Sequence, residues 1–159
     1  MNYGKEDYAV RVTNASPLQL VLINFEIILA RCGEVKSASG TGDITGFENC
    51  LASAKEFLNL LMTSLDMTYD ISKELMKLYI FINSLLVKAE MSKSSAPIDT
   101  ATDMLEKLYL SFEKISKTDA GRETDAVMQN AEQIFAGLTY KNGKLSEYID
   151  EDTERGFKV

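Results

Sequence analysis

Few residues in this chain are suited to catalysis or metal binding. The 159 residues include two cysteines, Cys32 and Cys50, and no histidine. Histidine is required for Ser-His-Asp and Cys-His triads, for zinc sites with histidine ligands and for the Glu-x-x-His pairs of di-iron bundles. Both cysteines have apolar neighbours and lack the spacing of metal ligands, so we expect buried, reduced thiols.

Carboxylates, lysines and tyrosines remain as candidates for chemistry. General acid–base catalysis needs a group whose pKa is tuned by a close partner, but the acidic residues are scattered over polar helix faces. They number 24 against 17 lysines and arginines, and the resulting net charge of −7 disfavours contact with nucleic-acid phosphates. We therefore predict a protein that is not an enzyme, with no cofactor, no metal and no nucleic-acid partner.

Length and hydropathy narrow the class of protein further. A chain of 159 residues is long enough to bury a core without disulfides or metals. No apolar run approaches the roughly 18 residues of a membrane span, and residues 1–10 lack the apolar region of a signal peptide. We expect a cytoplasmic protein without membrane insertion.

Four segments place apolar residues at alternating spacings of three and four, the pattern of a helix that faces a core. Residues 16–19, Ser-Pro-Leu-Gln, form a capping box with proline at the first helical position. Asp43 and Asp70 are suited to cap two further helices. The predicted helices span about 17–37, 44–65, 71–93 and 97–117.

Each predicted helix has one apolar seam for a common core, and four helices with short connections predict an all-α, antiparallel up-and-down four-helix bundle. The seams are Leu18, Leu22, Phe25, Leu29 and Cys32; Phe47, Leu51, Ala54, Leu58, Leu61 and Leu65; Ile71, Leu75, Leu78, Ile82, Leu85 and Ala89; and Ile98, Ala101, Leu105, Leu108, Phe112 and Ile115.

Two of these helices carry a second apolar stripe that a four-helix core does not need. A surface helix normally has one apolar face, so the second stripe needs either an internal cover or a binding partner. The extra residues are Leu20, Ile23 and Ile27 on the first helix, and Met76, Ile80 and Val87, with Phe81 beside them, on the third.

The chain divides into three predicted regions: a flexible N-terminal segment (1–15), the bundle core (16–117) and a C-terminal extension (118–159). The extension contains apolar residues at helical spacing, which predict an additional amphipathic helix over about 122–137 before an acidic tail. We expect this helix to dock on the second stripes, either permanently or as a lid. Its apolar residues are Val127, Ala131, Ile134, Phe135 and Leu138.

Four segments, in order and in spacing, resemble the flagellar secretion chaperone family FliS. RVTNASPLQLVLINFE, at 11–26, is similar to the family's N-terminal TASP-x-E-L signature, and LNLLMTSLDM, at 58–67, to the end of its second helix. LYIFINSLLVKAEM, at 78–91, and MLEKLYLSFEKI, at 104–115, resemble its third and fourth helices. Ile27 stands where the family favours glycine, which favours an internal cover for this part of the first stripe.

The resemblance implies a cytoplasmic chaperone that binds the C-terminal segment of newly made flagellin. Such a chaperone prevents premature polymerisation of its client and assists delivery to the export gate. The client has no stable fold alone and folds as it binds. An export-gate component and an anti-sigma factor are further implied partners, and the chaperone itself would be a monomer or a weak homodimer.

The second stripes and the resemblance together give the expected partner-binding residues. Tyr8, with Tyr3, resembles tyrosines of the family's leading segment, which lies over the client groove; exposure to solvent is the alternative for both. A rival interpretation of the whole chain is a structural or regulatory oligomerisation module whose extra stripes form a homodimer. The expected partner-binding residues are Tyr8, Leu20, Ile23, Ile27, Met67, Met76, Tyr79, Ile80, Phe81 and Val87.

Overall fold

A computed structural model describes residues 5–118 of the chain. Every regular element in this range is a helix, so the predicted all-α class is confirmed. The predicted helix at 122–137, the acidic tail and Tyr3 lie outside the described residues. The helices are α1 (Lys5–Thr13), α2 (Pro17–Thr41), α3 (Ile44–Thr63), α4 (Asp70–Ser92) and α5 (Ala96–Ser116).

Helices α2 to α5 form a closed four-helix bundle in which each helix packs on the next and α5 packs on α2. Ion pairs between neighbours show that they run antiparallel. Lys93, just after α4, lies 2.5 Å from Glu48 near the start of α3. Lys36, in the second half of α2, lies 2.6 Å from Asp99 near the start of α5. The predicted up-and-down bundle is therefore confirmed.

The start of α2 is the capping box that the sequence predicts. The backbone N–H of Gln19 donates to Ser16 Oγ (3.3 Å), and the N–H of Ser16 donates to Gln19 Oε1 (2.9 Å). The helix continues past its predicted end at Ser37, as far as Thr41. It ends where Gly42 adopts a φ of 72°, a left-handed conformation that costs glycine little.

The two predicted aspartate caps have different outcomes. Asp43 caps α3, because its Oδ1 accepts a hydrogen bond of 3.0 Å from the N–H of Gly46. Asp70 does not cap α4; it is the first helical residue, and its carboxylate pairs with Lys73 at 2.7 Å. The turn before α4 is closed instead by Asp66, whose Oδ1 accepts the N–H of Thr68 at 3.0 Å. The helix consequently begins one residue earlier than a cap at Asp70 would place it.

The core seam is predicted correctly for all six residues of α5, but not for α2 and α4. On α4, Tyr79 and Leu86 are buried, whereas the predicted Leu78 and Leu85 are half-buried. On α2, Val21 and Ile28 are buried in place of Leu22 and Leu29, and on α3 only Leu65 departs, since it lies after the helix end. Neighbouring apolar residues compete for the core on these helices, and packing selects between them.

Aromatic rings at the centre of the bundle fix that selection. The Phe25 ring lies 6.3 Å from the ring of Tyr79 and 5.3 Å from that of Phe112, measured between centroids. Tilted pairs at such distances are favourable beyond the area they bury. The cluster joins α2, α4 and α5, and it holds Tyr79 inside the protein.

A helix that the spacing of apolar residues does not predict precedes the bundle. Helix α1 lies within the segment expected to be flexible, and it packs on α2. The Arg11 guanidinium donates to both carboxylate oxygens of Glu26, at 2.6 and 3.0 Å, and lies 5.7 Å from the centroid of the Tyr8 ring. A helix this short is marginal alone, so contacts with α2 are needed to hold it.

Candidate partner-binding surface

The structure separates the expected partner-binding residues by exposure. Three are exposed, five are half-buried and two are buried, so they do not form one open surface. In that order they are Met67, Ile80 and Phe81; Tyr8, Leu20, Ile27, Met76 and Val87; and Ile23 and Tyr79.

Tyr79 is closed to partners in this structure. Its side chain is 1% exposed and packs against Phe25, and burial raises the pKa of its phenol above the ordinary range. A partner could touch Tyr79 only if the bundle opened. Tyr79 lies within LYIFI, where apolar residues follow one another without a break, so spacing does not show which of them face inward.

The second stripe of α2 is largely covered by described helices. Ile23 is 3% exposed, yet it does not belong to the apolar cluster that fills the bundle. Helix α1 packs on α2, and Arg11 and Ile23 line the same cleft, so α1 is the element that covers Ile23. Leu20 and Ile27 are half-buried on the side that faces α3, the side from which Glu34 accepts a 3.3 Å hydrogen bond from Cys50.

The cleft between α1, α2 and α5 has a volume of about 480 Å³ and is mainly polar. The Tyr109 hydroxyl donates to Glu26 Oε1 at 3.3 Å, and the same carboxylate accepts both hydrogen bonds from Arg11. Burial, together with the charges of Glu26 and Glu113, raises the pKa of Tyr109 to about 12. The phenol therefore stays protonated as a donor, and this group of side chains holds α1 against the bundle.

An apolar surface remains exposed on α4. Met76, Ile80, Val87 and Met91 follow one another at helical spacing, so they form one stripe along the outside of the helix. Phe81 is exposed on the same outer side of α4, and Lys77, Ser84 and Lys88 lie between it and the stripe. We call these five residues the α4 patch. Ile80 is 53% exposed, Phe81 49% and Met91 81%.

The stripe of the α4 patch, from Met76 to Met91, lies beside the groove between α3 and α4, whereas Phe81 lies on the opposite flank of the exposed face. Glu90 faces α3, because its carboxylate accepts a hydrogen bond of 2.6 Å from Lys55. Met76 and Val87 lie toward the same side of α4, which is why they are half-buried. From Met76 to Met91 the stripe runs about 22 Å at 1.5 Å per residue, enough to seat an amphipathic helix of four turns.

Met91 belongs to this surface but is not among the expected partner-binding residues. It has the largest exposed fraction among the large apolar side chains of the described residues. The signal was present, because Met91 continues the spacing of Ile80 and Val87 by four residues. Elsewhere Leu60 and Leu110 are exposed singly on α3 and α5, which is ordinary for a protein surface.

The two cysteines are not activated for chemistry. Burial raises the pKa of the Cys32 thiol to about 11. Burial and the neighbouring Glu34 carboxylate also raise the pKa of Cys50. Within the described residues, no group of cysteine, aspartate and glutamate side chains is placed to hold a metal ion. No helix in this part of the chain has the length and hydropathy needed to cross a membrane.

The described residues form a helical bundle with an apolar stripe exposed along one helix, a feature that is typical of protein-binding surfaces. Comparison with protein-family models matches residues 1–119 to the family described as flagellar protein FliS. The chain belongs to the FliS family, a family of flagellar export chaperones, so the resemblance found in the sequence is confirmed. A search of curated proteins gives no match.

Proposed function

We propose that this protein is a cytoplasmic flagellar export chaperone whose α4 patch binds the C-terminal segment of flagellin. The supporting observation is the stripe of apolar side chains along α4, which no described element covers, in a member of a chaperone family. Occupying the C-terminal segment would keep flagellin from polymerising before export. The same complex would assist delivery to the export gate.

The chemistry of the α4 patch suits a client that folds as it binds. Ordering a disordered segment costs about 2–5 kcal/mol, which burial of roughly 200 Å² of apolar surface offsets at about 25 cal/mol per Å². Phe81, Ile80 and Met91 each bring a largely exposed apolar side chain to this surface. The two methionines of the α4 patch also adapt to uneven client surfaces, since their unbranched side chains are flexible.

The covered stripe of α2 would supply a second part of the client surface. Leu20, Ile23 and Ile27 lie beneath or beside neighbouring helices, and Ile23 becomes accessible only when α1 leaves α2. The contacts that hold α1 there include the ion pair between Arg11 and Glu26, whose side chains are 36% and 18% exposed, so water can reach the arginine when α1 moves. Client binding at this stripe would be coupled to movement of α1, which carries Tyr8.

Client binding is tested with a double substitution on the exposed part of the α4 patch. Ile80→Asp with Met91→Asp would place two carboxylates against the apolar client. We expect the affinity for a flagellin C-terminal peptide, measured by calorimetry, to fall at least about 100-fold, equivalent to roughly 3 kcal/mol. Both side chains are exposed, so the unfolding midpoint should change little.

Leu110→Asp is the matched control, because Leu110 is 51% exposed on α5 and lies outside the α4 patch. This variant should bind the peptide as the unchanged protein does. Undiminished binding by a folded Ile80→Asp/Met91→Asp protein would place the client elsewhere. A dimer in sedimentation at micromolar concentration, abolished by the same double substitution, would favour the oligomerisation module instead.

A further inference from the structure

We propose that residues 127–138 of the same chain cover the α4 patch when no partner is bound. The inference rests on the proposed function in one respect: the α4 patch is the surface that binds both this segment and the flagellin client. It identifies the occupant from the position at which the chain leaves the bundle, from matched spacing and from charge.

The chain leaves the bundle at the end where α4 begins. Helices α4 and α5 pack as antiparallel neighbours across a short connection, so Ser116, at the end of α5, lies at the same end as Asp70. Ile80 is ten residues into α4, about 15 Å from that end at 1.5 Å per residue. The nine residues from Thr118 to Val127 reach at most about 30 Å. The segment is thus long enough to reach the α4 patch.

The apolar residues of the segment match the spacing of the α4 patch. Val127 and Ile134 are seven residues apart, as are Ile80 and Val87. Two helices with apolar residues at the same seven-residue spacing can pack along their lengths, because their contacts then recur in register. A helix over 122–137, as the sequence predicts, would present these residues together with Phe135 on one face.

The charges of the two elements are complementary. Lys88 is exposed seven residues after Phe81 and pairs with no carboxylate in the described part of the chain. The predicted helix over 122–137, which includes most of the segment, contains three acidic residues, Glu123, Asp125 and Glu132, and one basic residue, Arg122. An acidic helix laid on this face would give Lys88 a partner, and opposite charges at a helix interface help to set its orientation.

The cleft beside α1 is the other site near the end of α5 at which the segment could dock, since Ser116 and Lys117 line it. Charged and hydroxyl groups dominate its wall, including Glu26 and Tyr109. Apolar side chains placed there would leave these polar groups without water, at a cost in free energy. The α4 patch offers the apolar surface that the segment needs.

Hydroxyl-radical footprinting of the full chain without flagellin tests the cover directly. The variant Ile134→Asp/Phe135→Asp removes the apolar contact. We expect Phe81 and Ile80 to be oxidised about tenfold more slowly in the unchanged protein than in this variant. This ratio corresponds to a segment that covers the α4 patch in about nine of ten molecules. Leu110, which is equally exposed, should be oxidised at the same rate in both proteins.

Tyr148→Asp/Ile149→Asp is the matched control, since it changes another adjacent aromatic and aliphatic pair outside 127–138. It should keep Phe81 protected. Oxidation of Phe81 that is equally fast in the unchanged protein and in Ile134→Asp/Phe135→Asp would overturn the proposal. Protection of Phe81 that disappears on dilution would also overturn the proposal, because it would show that a second copy of the protein covers the α4 patch.

A second measurement avoids variants altogether. Carbodiimide joins amines and carboxylates that are in contact, so the unchanged monomer should give a cross-link between Lys88 and Glu132 or Asp125. Absence of such a link, with other lysine–carboxylate links present, would contradict the proposal. Neither measurement contains flagellin, so a negative result would contradict the cover without contradicting client binding. If the flagellin peptide fails to bind, the footprint still tests whether the segment covers the α4 patch.

Discussion

Tyr79 and Phe81 are two residues apart in sequence and have opposite environments. Tyr79 is 1% exposed in the aromatic cluster, and Phe81 is 49% exposed on the α4 patch. Tyr79→Ala should lower the free energy of unfolding by about 3–5 kcal/mol, since the lost ring leaves a cavity. Phe81→Ala should lower it by less than about 1 kcal/mol. Urea unfolding followed by circular dichroism gives both values, and equal losses would contradict the assigned environments.

The phenol of Tyr109 makes stability depend on alkaline pH. Burial and the Glu26 and Glu113 carboxylates raise its pKa from 10.0 to about 12. The folded protein therefore holds this proton more tightly than the unfolded chain does. Its stabilising contribution is complete below pH 10 and is lost as the pH rises through 12.

Tyr109→Phe removes that titration. Between pH 10 and 12 the unfolding free energy of the unchanged protein should fall more steeply than that of the variant, because only the former binds the extra proton when folded. Denaturant unfolding at several pH values measures the two slopes. Parallel slopes would show that Tyr109 is not perturbed by its neighbours.

At the scale of elements, α1 shows why a short helix is missed in sequence. Its apolar residues Tyr8, Val10 and Val12 alternate at a spacing of two, which is not a helical pattern, and valine favours helices weakly. Val10 and Val12 are exposed, so no apolar face drives docking. Contacts with α2 determine this helix, and such contacts are not visible in local spacing.

The Arg11–Glu26 ion pair should set how often α1 opens. Arg11→Ala removes two hydrogen bonds to a carboxylate that is 18% exposed. We expect the opening free energy of α1 to fall by about 1–2 kcal/mol, so that its amides exchange with deuterium roughly tenfold faster. The amides of α2 to α5 should keep their protection.

Lys36→Ala provides a comparison for α1, because Lys36 also forms an interhelical ion pair from α2, with Asp99. That variant should leave exchange in α1 unchanged. If Arg11→Ala exchanges in α1 as slowly as the Lys36 variant does, the ion pair does not hold this helix.

The whole bundle was more predictable than its surface. Helix α5 has one seam, so helical spacing alone identified its buried residues from Ile98 to Ile115. Helices α2 and α4 have apolar residues on several sides, and there the Phe25 cluster decides that Tyr79 rather than Leu78 is buried. The expected partner-binding residues share this ambiguity. Helical spacing predicts that Ile80 and Phe81 lie outside the core, and both are exposed, whereas the burial of Ile23 depends on α1.

Three of the four interhelical ion pairs among the described residues lie toward one end of the bundle, and the fourth, Arg11–Glu26, lies in the cleft at the other end. Lys36–Asp99, Lys55–Glu90 and Lys93–Glu48 all lie near the α2–α3 and α4–α5 connections. The cleft lies at the opposite end. Asn14, just before the bundle, and Lys117, just after it, both line this cleft, so the chain enters and leaves the bundle at the same end. A fusion partner or a solid support attached to the chain before α2 or after α5 would therefore be joined to the same end of the bundle. The end with the three ion pairs would point away from the support, and both immobilisation schemes would present one orientation to a binding partner.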